Sequence, residues 1–301
     1  MSETALKDHQ LTEAIGENVN GLRQVRDEIA KVIVGQEGVV ELTLIALLCE
    51  GHVLLEGVPG LGKTLLVKTL AETLDLKFSR IQFTPDLMPA DVLGTSMVIQ
   101  DQSKNFNLRF EPGPVFANLV LGDEINRASP KTQAALLEAM QERSVTIRGE
   151  RHELPRPFLV LATQNPLEME GTYPLPEAQI DRFFFKVLIS QPSESELETI
   201  IERTVGVNEP EVGVILEASK LKTMQLAVRE VVVPPHVTNY AARLIMATQP
   251  EREGALPRIK QFVKYGAGPR GAQSLILAAK ARALMGGRFN VSLEDLKKLA
   301  Q

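Results

Sequence analysis

Residues 52 to 74, HVLLEGVPGLGKTLLVKTLAETL, join a short apolar run to a segment of helical period through eight residues, three of them glycine. An unbroken run such as Val53-Leu54-Leu55 suits a strand buried on both faces, and the return of leucines at helical spacing after Lys63 marks a helix. The chain is thereby committed to a strand, loop and helix unit, and such units pack as parallel sheets covered by helices. The loop Gly57-Val58-Pro59-Gly60-Leu61-Gly62-Lys63-Thr64 fulfils the pattern G-x-x-x-x-G-K-[ST] at the place where its mechanism requires it. Glycines let backbone N–H groups turn inward on phosphate oxygens, the helix N-terminus adds partial positive charge, Lys63 neutralises phosphate, and the Thr64 hydroxyl can ligate Mg²⁺. Leu65 continues the same binding segment into the helix. The expected ligand is a nucleoside triphosphate with Mg²⁺.

Two further apolar runs, NLVLGDE and PFLVLATQN, are separated by the helical segment SPKTQAALLEAMQER, with Ser129 as N-cap and Pro130 at the first helical position. This alternation predicts an α/β fold with a mostly parallel, doubly wound sheet. Upstream, Leu22, Val25, Ile29 and Ile33 recur at helical spacing, and a break at VGQEG precedes a second helical stretch through Leu48. Two segments interrupt the pattern. TSMVIQDQSKNFNLRFEPGPV alternates around Phe106, Leu108 and Phe110, and SVTIRGERHELP alternates around Val145 and Ile147 with Gly149 at a turn, so both predict inserted β-hairpins. Beyond QPSESELETII strand signals nearly vanish, which predicts a first domain over 1–190 and a smaller all-α domain over 191–301.

Composition narrows the function classes. A net charge of -5 argues against a dedicated nucleic-acid protein, whose phosphate-binding surface leaves a basic excess. No uncharged apolar run is long enough for a membrane span, and the start MSETALKDHQ is polar with an early acid, unlike a secretory signal. Cys49 is the single cysteine and lies in an apolar stretch, which fits a buried thiol and a cytoplasmic setting. His9, His52, His152 and His236 have no metal-ligand spacing and read as structural.

Asp123 and Glu124 stand at the end of the run NLVLGDE. Adjacent residues leaving a strand point in different directions, so Asp123 can reach the Mg²⁺ shell beside Thr64 while Glu124 faces the terminal phosphate and polarises water. Asn165, after LATQ, is placed to hold that water without adding charge, although Asn-Pro is also a common turn.

With these motifs in family order over residues 35 to 285, the chain resembles the MoxR family of AAA+ ATPases: GVPGLGKT, LVLGDEINRA, LATQNP, LPEAQIDRFFF and GPRGAQSLILAAKARA. The resemblance implies a P-loop AAA+ core with a helical lid, and the two hairpins match insertions of that clade. It implies ATP as the nucleotide, Arg182 as an arginine finger inserted into a neighbouring subunit's site, and Arg270 as a second sensor in the lid. Gly35-Gln36 in VIVGQE matches the segment that lies against adenine. It also implies a ring, a hexamer, that remodels client proteins, often beside a partner carrying a von Willebrand factor A domain. Gly122 stands where many relatives carry Ala, and relatives usually continue past a motif like VSLEDLKKLA, so the lid is expected to end early.

The physics of phosphoryl transfer favours both arginines independently, because charge spread over the transferring oxygens exceeds what Lys63 and Mg²⁺ cover. Arg270, beside Pro269 at a helix start, is unfavourably placed unless an anion lies nearby. Rival readings share the fold or its ligand. A magnesium-chelatase ATPase subunit or a helicase-type motor has the same hairpins, whose basic residues Lys104, Arg148 and Arg151 could touch peptide or nucleic acid; the acidic whole favours peptide. A nucleotide-gated binding module with little turnover is opposed by the intact Glu124. Asn126 and Arg127, just past the catalytic strand, are expected to face a docking neighbour, with a local salt bridge as the alternative for Arg127.

Overall fold

The computed structural model describes residues 16, 19–100, 106–166, 171–206 and 210–300; Lys104 and His9 lie outside them. The described residues group into two compact units, one over Val25–Ala218 and one holding those up to Gln24 and from Ser219 onward. Helix α1 (19–29) leads to α2 (Glu37–Leu48), then to β1 (Val53–Glu56) and, across the glycine loop, to α3 (Lys63–Thr73). There follow β2 (Phe78–Gln82), α4 (Pro89–Leu93), the hairpin β3 (Gly94–Gln100) and β4 (Phe106–Pro112), β5 (Leu119–Asp123), a 3-10 turn at Ile125–Arg127, and α5 (Pro130–Glu142). A second hairpin, β6 (Ser144–Ile147) and β7 (Glu150–Glu153), precedes β8 (Leu159–Gln164), α6 (Glu177–Ile180), β9 (Phe185–Leu188) and α7 (Glu194–Thr204).

The main sheet has the order β2-β5-β8-β1-β9, with every pairing parallel. Three strands match the apolar runs: Val53–Leu55, Leu119–Leu121 and Leu159–Ala162 are all fully buried, as strands covered on both faces must be. From β1 the chain crosses to β2, and from β8 it crosses back over β1 to β9, so the winding direction changes between β1 and β8. Ligands in open α/β sheets bind in the crevice that such a change opens at the carboxyl ends of the strands. Ser129 caps α5 by accepting from the Thr132 N–H, with Pro130 following, as its sequence predicts. Beneath it Phe83, Val120, Ile125, Leu136, Leu137 and Met140 form one apolar cluster. A Cβ added at Gly122 would lie 3.1 Å from Phe83, so glycine here admits that ring.

His52 pins the start of β1. The Val160 N–H donates to Nδ1 at 3.0 Å, so the proton sits on Nε2, which donates to the Met140 carbonyl at 3.1 Å. Burial drives its pKa down to about 4, helped by Arg143, so the ring is neutral and ties β1 to β8 and to the end of α5. Both inserted hairpins form separate two-stranded sheets. Arg148 and Gly149, at φ 53° and 86°, make the two-residue turn between the paired Ile147 and Glu150. The hairpins meet where Phe110 stacks on His152 at 4.0 Å, while Val98, Leu108 and Phe106 farther along the first are exposed.

The second unit contains α8 (Ala218–Glu230), α9 (Pro235–Ala247), α10 (Pro257–Phe262), α11 (Pro269–Met285) and α12 (Leu293–Leu299). Among the described residues after Leu188 the only strand-like pairing is a single bridge, Val232 with Asn290. Asp295 anchors the unit: its side chain is 1% exposed and accepts from Arg288 at 2.6 and 2.8 Å and from Arg282 at 3.1 Å. It also caps α12 through the N–H and hydroxyl of Ser292. Burial alone would raise the Asp295 pKa, but these donors, Arg288 first, hold it down at about 2.

Candidate functional site

The glycine loop leaves β1 at the change of winding. Gly57 is backed by Ile189, whose Cβ and carbonyl would lie 3.1 Å from an added Cβ. Gly60 and Gly62 have φ of 85° and 72°, which L side chains rarely adopt, and the space where their Cβ atoms would stand is open. Gly62 is the N-cap of α3, so Lys63 and Thr64 begin the helix and its unpaired N–H groups face the loop. Lys63 Nζ donates to the Gly57 carbonyl at 2.6 Å. Its pKa is lowered by burial, against which the charges of Asp123 and Glu124 pull upward.

Both carboxylates line the same cleft as the loop, and each has its own partners. Asp123 accepts from the Thr163 hydroxyl at 2.6 Å through Oδ1 and pairs with Arg80 at 2.7 Å through Oδ2. Glu124 leaves the strand in the left-handed conformation, φ 58°, and its N–H donates to the Thr163 hydroxyl at 2.9 Å. Its Oε2 accepts from Gln82 at 2.9 Å and from Arg127 at 3.1 Å. Arg80 also donates to the Gln82 amide oxygen at 2.7 Å, which turns the amide nitrogen toward Glu124. The adjacent acids thus diverge because one stays on the strand while the next turns out of it.

The cleft has a volume of about 470 Å³ and is lined by Pro59–Leu65, Arg80, Gln82, Asp123, Glu124, Thr163 and Asn165. Gly57 and Val58 are not among its lining residues. Asn165 is buried and sits just past β8. Thr64 and Asp123 offer the oxygen donors that Mg²⁺ takes when substrate phosphates and water complete its shell, so the residues fit the metal. Among the described residues no cluster of three or more His, Cys, Asp or Glu side chains exists that could hold a metal without such help.

A second pocket of about 200 Å³ shares Gly60, Leu61, Gly62 and Leu65 with the cleft. Its other walls are residues 32–36, Leu66, Ser190, Pro192 and the α7 residues Leu197, Ile200, Arg203 and Thr204. Gly35 has φ 71°, and a Cβ there would fall on the Glu196 carboxylate; the Gln36 amide donates to the Leu61 carbonyl at 3.4 Å. Together the two spaces suit a ligand that is anionic at one end and flat and apolar at the other.

Some expected residues stand elsewhere. Arg182 is exposed and lines neither space, its segment fixed by buried Phe183 and by the Phe184 N–H donating to the His52 carbonyl at 2.7 Å. Arg270 is exposed in the first turn of α11, in the second unit. Asn126 does not face outward: it is 4% exposed, its carbonyl accepts from the Tyr173 N–H at 2.6 Å, and its side-chain oxygen has no partner among the described residues. The local turn at Ile125–Arg127 folds it inward, and Arg127 makes the salt bridge to Glu124. Arg80, Gln82 and Thr163 escape the motifs. Thr163 shares the strand alternation of Asn165, two residues on, whereas Arg80 and Gln82 lie on a strand with no apolar run to announce it.

Comparison with known proteins agrees with this geometry. Residues 52–185 match the ATPase family associated with various cellular activities (AAA), and residues 256–301 match the AAA lid domain. The chain is similar to Chaperone MoxR1 of Mycobacterium tuberculosis, 45% identical over 94% of this chain and 74% of that protein. It is 32% identical to Protein MoxR of Methylorubrum extorquens over 90% of this chain and 82% of that one. A crystal structure from Cytophaga hutchinsonii, of a protein assigned as an ATPase, superposes with a TM-score of 0.89 at 42% identity, covering 98% of this chain and 88% of the other.

Proposed function

This chain belongs to the MoxR family of AAA+ ATPases, and on that footing we propose that it hydrolyses ATP with Mg²⁺ in a hexameric ring whose turnover drives chaperone-like remodelling of protein complexes. The observation that carries the reading is the meeting of the Lys63-Thr64 loop with Asp123 and Glu124 in one cleft. Lys63 neutralises phosphate oxygens, and the open space at Gly60 and Gly62 admits them to the loop N–H groups. Thr64 and Asp123 would hold Mg²⁺, which when bound would supply neutralisation of phosphate charge. Glu124 orients the attacking water through Oε1, since Oε2 already accepts from Gln82 and Arg127. Asn165 holds the same water from just past β8, and Gly35 and Gln36 flank the adenine.

The exposure of Arg182 supports its use as a finger in a neighbour's site, because a cation that lines no cleft of its own chain is available to another. Arg270 at the start of α11 serves as the lid's sensor. The client is a protein, presented beside a partner with a von Willebrand factor A domain, and the buried Cys49 fits a cytoplasmic setting. No helix among the described residues is long and apolar enough to cross a membrane.

The test is Glu124→Gln, which is isosteric and removes the charge. ATP affinity by calorimetry is expected to persist while phosphate release falls by about 10²–10⁴-fold; unchanged release would remove Glu124 from the mechanism. The same variant held in ATP serves as bait for clients, and recovery of nucleic acid without protein would overturn the chaperone reading.

A further inference from the structure

The second, apolar pocket has a feature that phosphate chemistry does not explain. Residues 32–36 and α7 form separate walls of it, and an α7 side chain reaches the two residues that lead into 32–36. Arg203 Nη1 donates to the Ala30 carbonyl at 2.8 Å and to the Lys31 carbonyl at 2.7 Å. These carbonyls belong to the two residues that directly follow α1, at the negative end of its dipole and where the chain no longer offers helical N–H partners. The guanidinium therefore caps α1 from another helix, and the chain that leaves this capped end is the pocket wall at 32–36. Seven residues earlier on the same face of α7, Glu196 abuts Gly35 and is itself fixed by the N–H and hydroxyl of Ser193 at 2.6 and 2.7 Å. Between these two points Leu197 and Ile200 face the pocket. Neither Arg203 nor Glu196 lines the polar cleft.

We infer that Arg203 is a positioning residue that, by capping α1, holds residues 32–36 against α7 and so sets the affinity of the apolar pocket for the nucleotide base, independently of the phosphate end. The inference rests on the joined spaces being a nucleotide site. Arg203→Met keeps the apolar stem and removes the donors; Arg203→Lys restores a cation without the planar fork. In the full-length chain, Arg203→Met is expected to weaken ATP and ADP binding about tenfold and raise KM in proportion, with kcat changed by less than about twofold. Arg203→Lys falls between Met and wild type. Inorganic tripolyphosphate, which carries no base, competes with ATP as well in the Met variant as in wild type, whereas Lys63→Ala weakens ATP and tripolyphosphate alike.

Wild-type ATP affinity in Arg203→Met alongside a loss in Lys63→Ala would overturn the role of Arg203 and leave the nucleotide site standing. An equal loss of ATP and tripolyphosphate in Arg203→Met would also overturn it, since that marks general loosening of the unit. If Lys63→Ala binds both ligands as wild type does, the site reading itself falls and this inference with it.

Discussion

The neutral His52 makes the unit that carries the site sensitive to mild acid, and the size of the effect follows from its contacts. In the fold, burial of the ring, with the Arg143 charge adding to it, lowers the pKa from 6.5 to about 4, and Nδ1 already accepts from the Val160 N–H. A group whose folded pKa is lowered binds protons more readily when unfolded, so stability is complete above pH 6.5 and declines as pH falls toward 4. Between about pH 7.5 and pH 5 only some 1.5 units of that interval are crossed, which at ~1.4 kcal/mol per unit gives a loss of about 2 kcal/mol. His52→Asn places its amide oxygen near the Nδ1 position to accept from Val160 but leaves the Met140 carbonyl unserved. It is therefore expected to be about 1–3 kcal/mol less stable at neutral pH and nearly flat across the same interval. Urea unfolding followed by far-UV circular dichroism is the assay, since the chain has no Trp. An equal loss from pH 7.5 to 5 in wild type and variant would refute the buried neutral imidazole.

Two further outcomes are expected. Arg182→Ala lowers phosphate release by about 10³-fold, and mixing it with Lys63→Ala chains restores part of the activity, because each supplies what the other lacks; mixed rings as inactive as the separate variants would count against a finger acting between subunits. Asp295→Asn leaves Arg288 and Arg282 without their buried partner and destabilises the second unit by about 3–5 kcal/mol. Because the Asp295 pKa is lowered from 3.8 to about 2, its contribution is complete above pH 3.8 and is lost progressively as pH falls from there to about 2, so calorimetric melting of wild type and Asp295→Asn is expected to draw together as pH drops through that range.

Much of the fold is legible from local pattern. The apolar runs at Val53, Leu119 and Leu159 are buried strands, and the paired glycine, lysine and threonine loop sits between strand and helix where its motif requires. Ser129-Pro130 starts α5, and Arg148-Gly149 turns the second hairpin. These features depend on neighbours within a few residues, so periodicity, caps and turn chemistry reveal them. β2 is not legible in this way. It is an edge strand whose buried side rests on Ile81 alone, and its outward residues Arg80 and Gln82 break the apolar alternation. The inward turn of Asn126 is likewise hidden, because the carbonyl contact to Tyr173 comes from a segment far along the chain.

The sequence by itself determined that a glycine-rich loop of phosphate-binding pattern follows a buried strand, that two acids end another, and that helices dominate the C-terminal third. Only the tertiary structure decided which partners those acids acquire: Arg80 and Gln82 reach Asp123 and Glu124 because β2 pairs in register with β5, Gln82 beside Asp123. It also decided that Arg203, on a wall of the apolar pocket, donates to carbonyls 172 and 173 residues earlier. The reason is that strand order, register and helix docking are set by burial summed over the whole core, while a polar side chain carries in its local sequence no record of which distant backbone will come within hydrogen-bond reach.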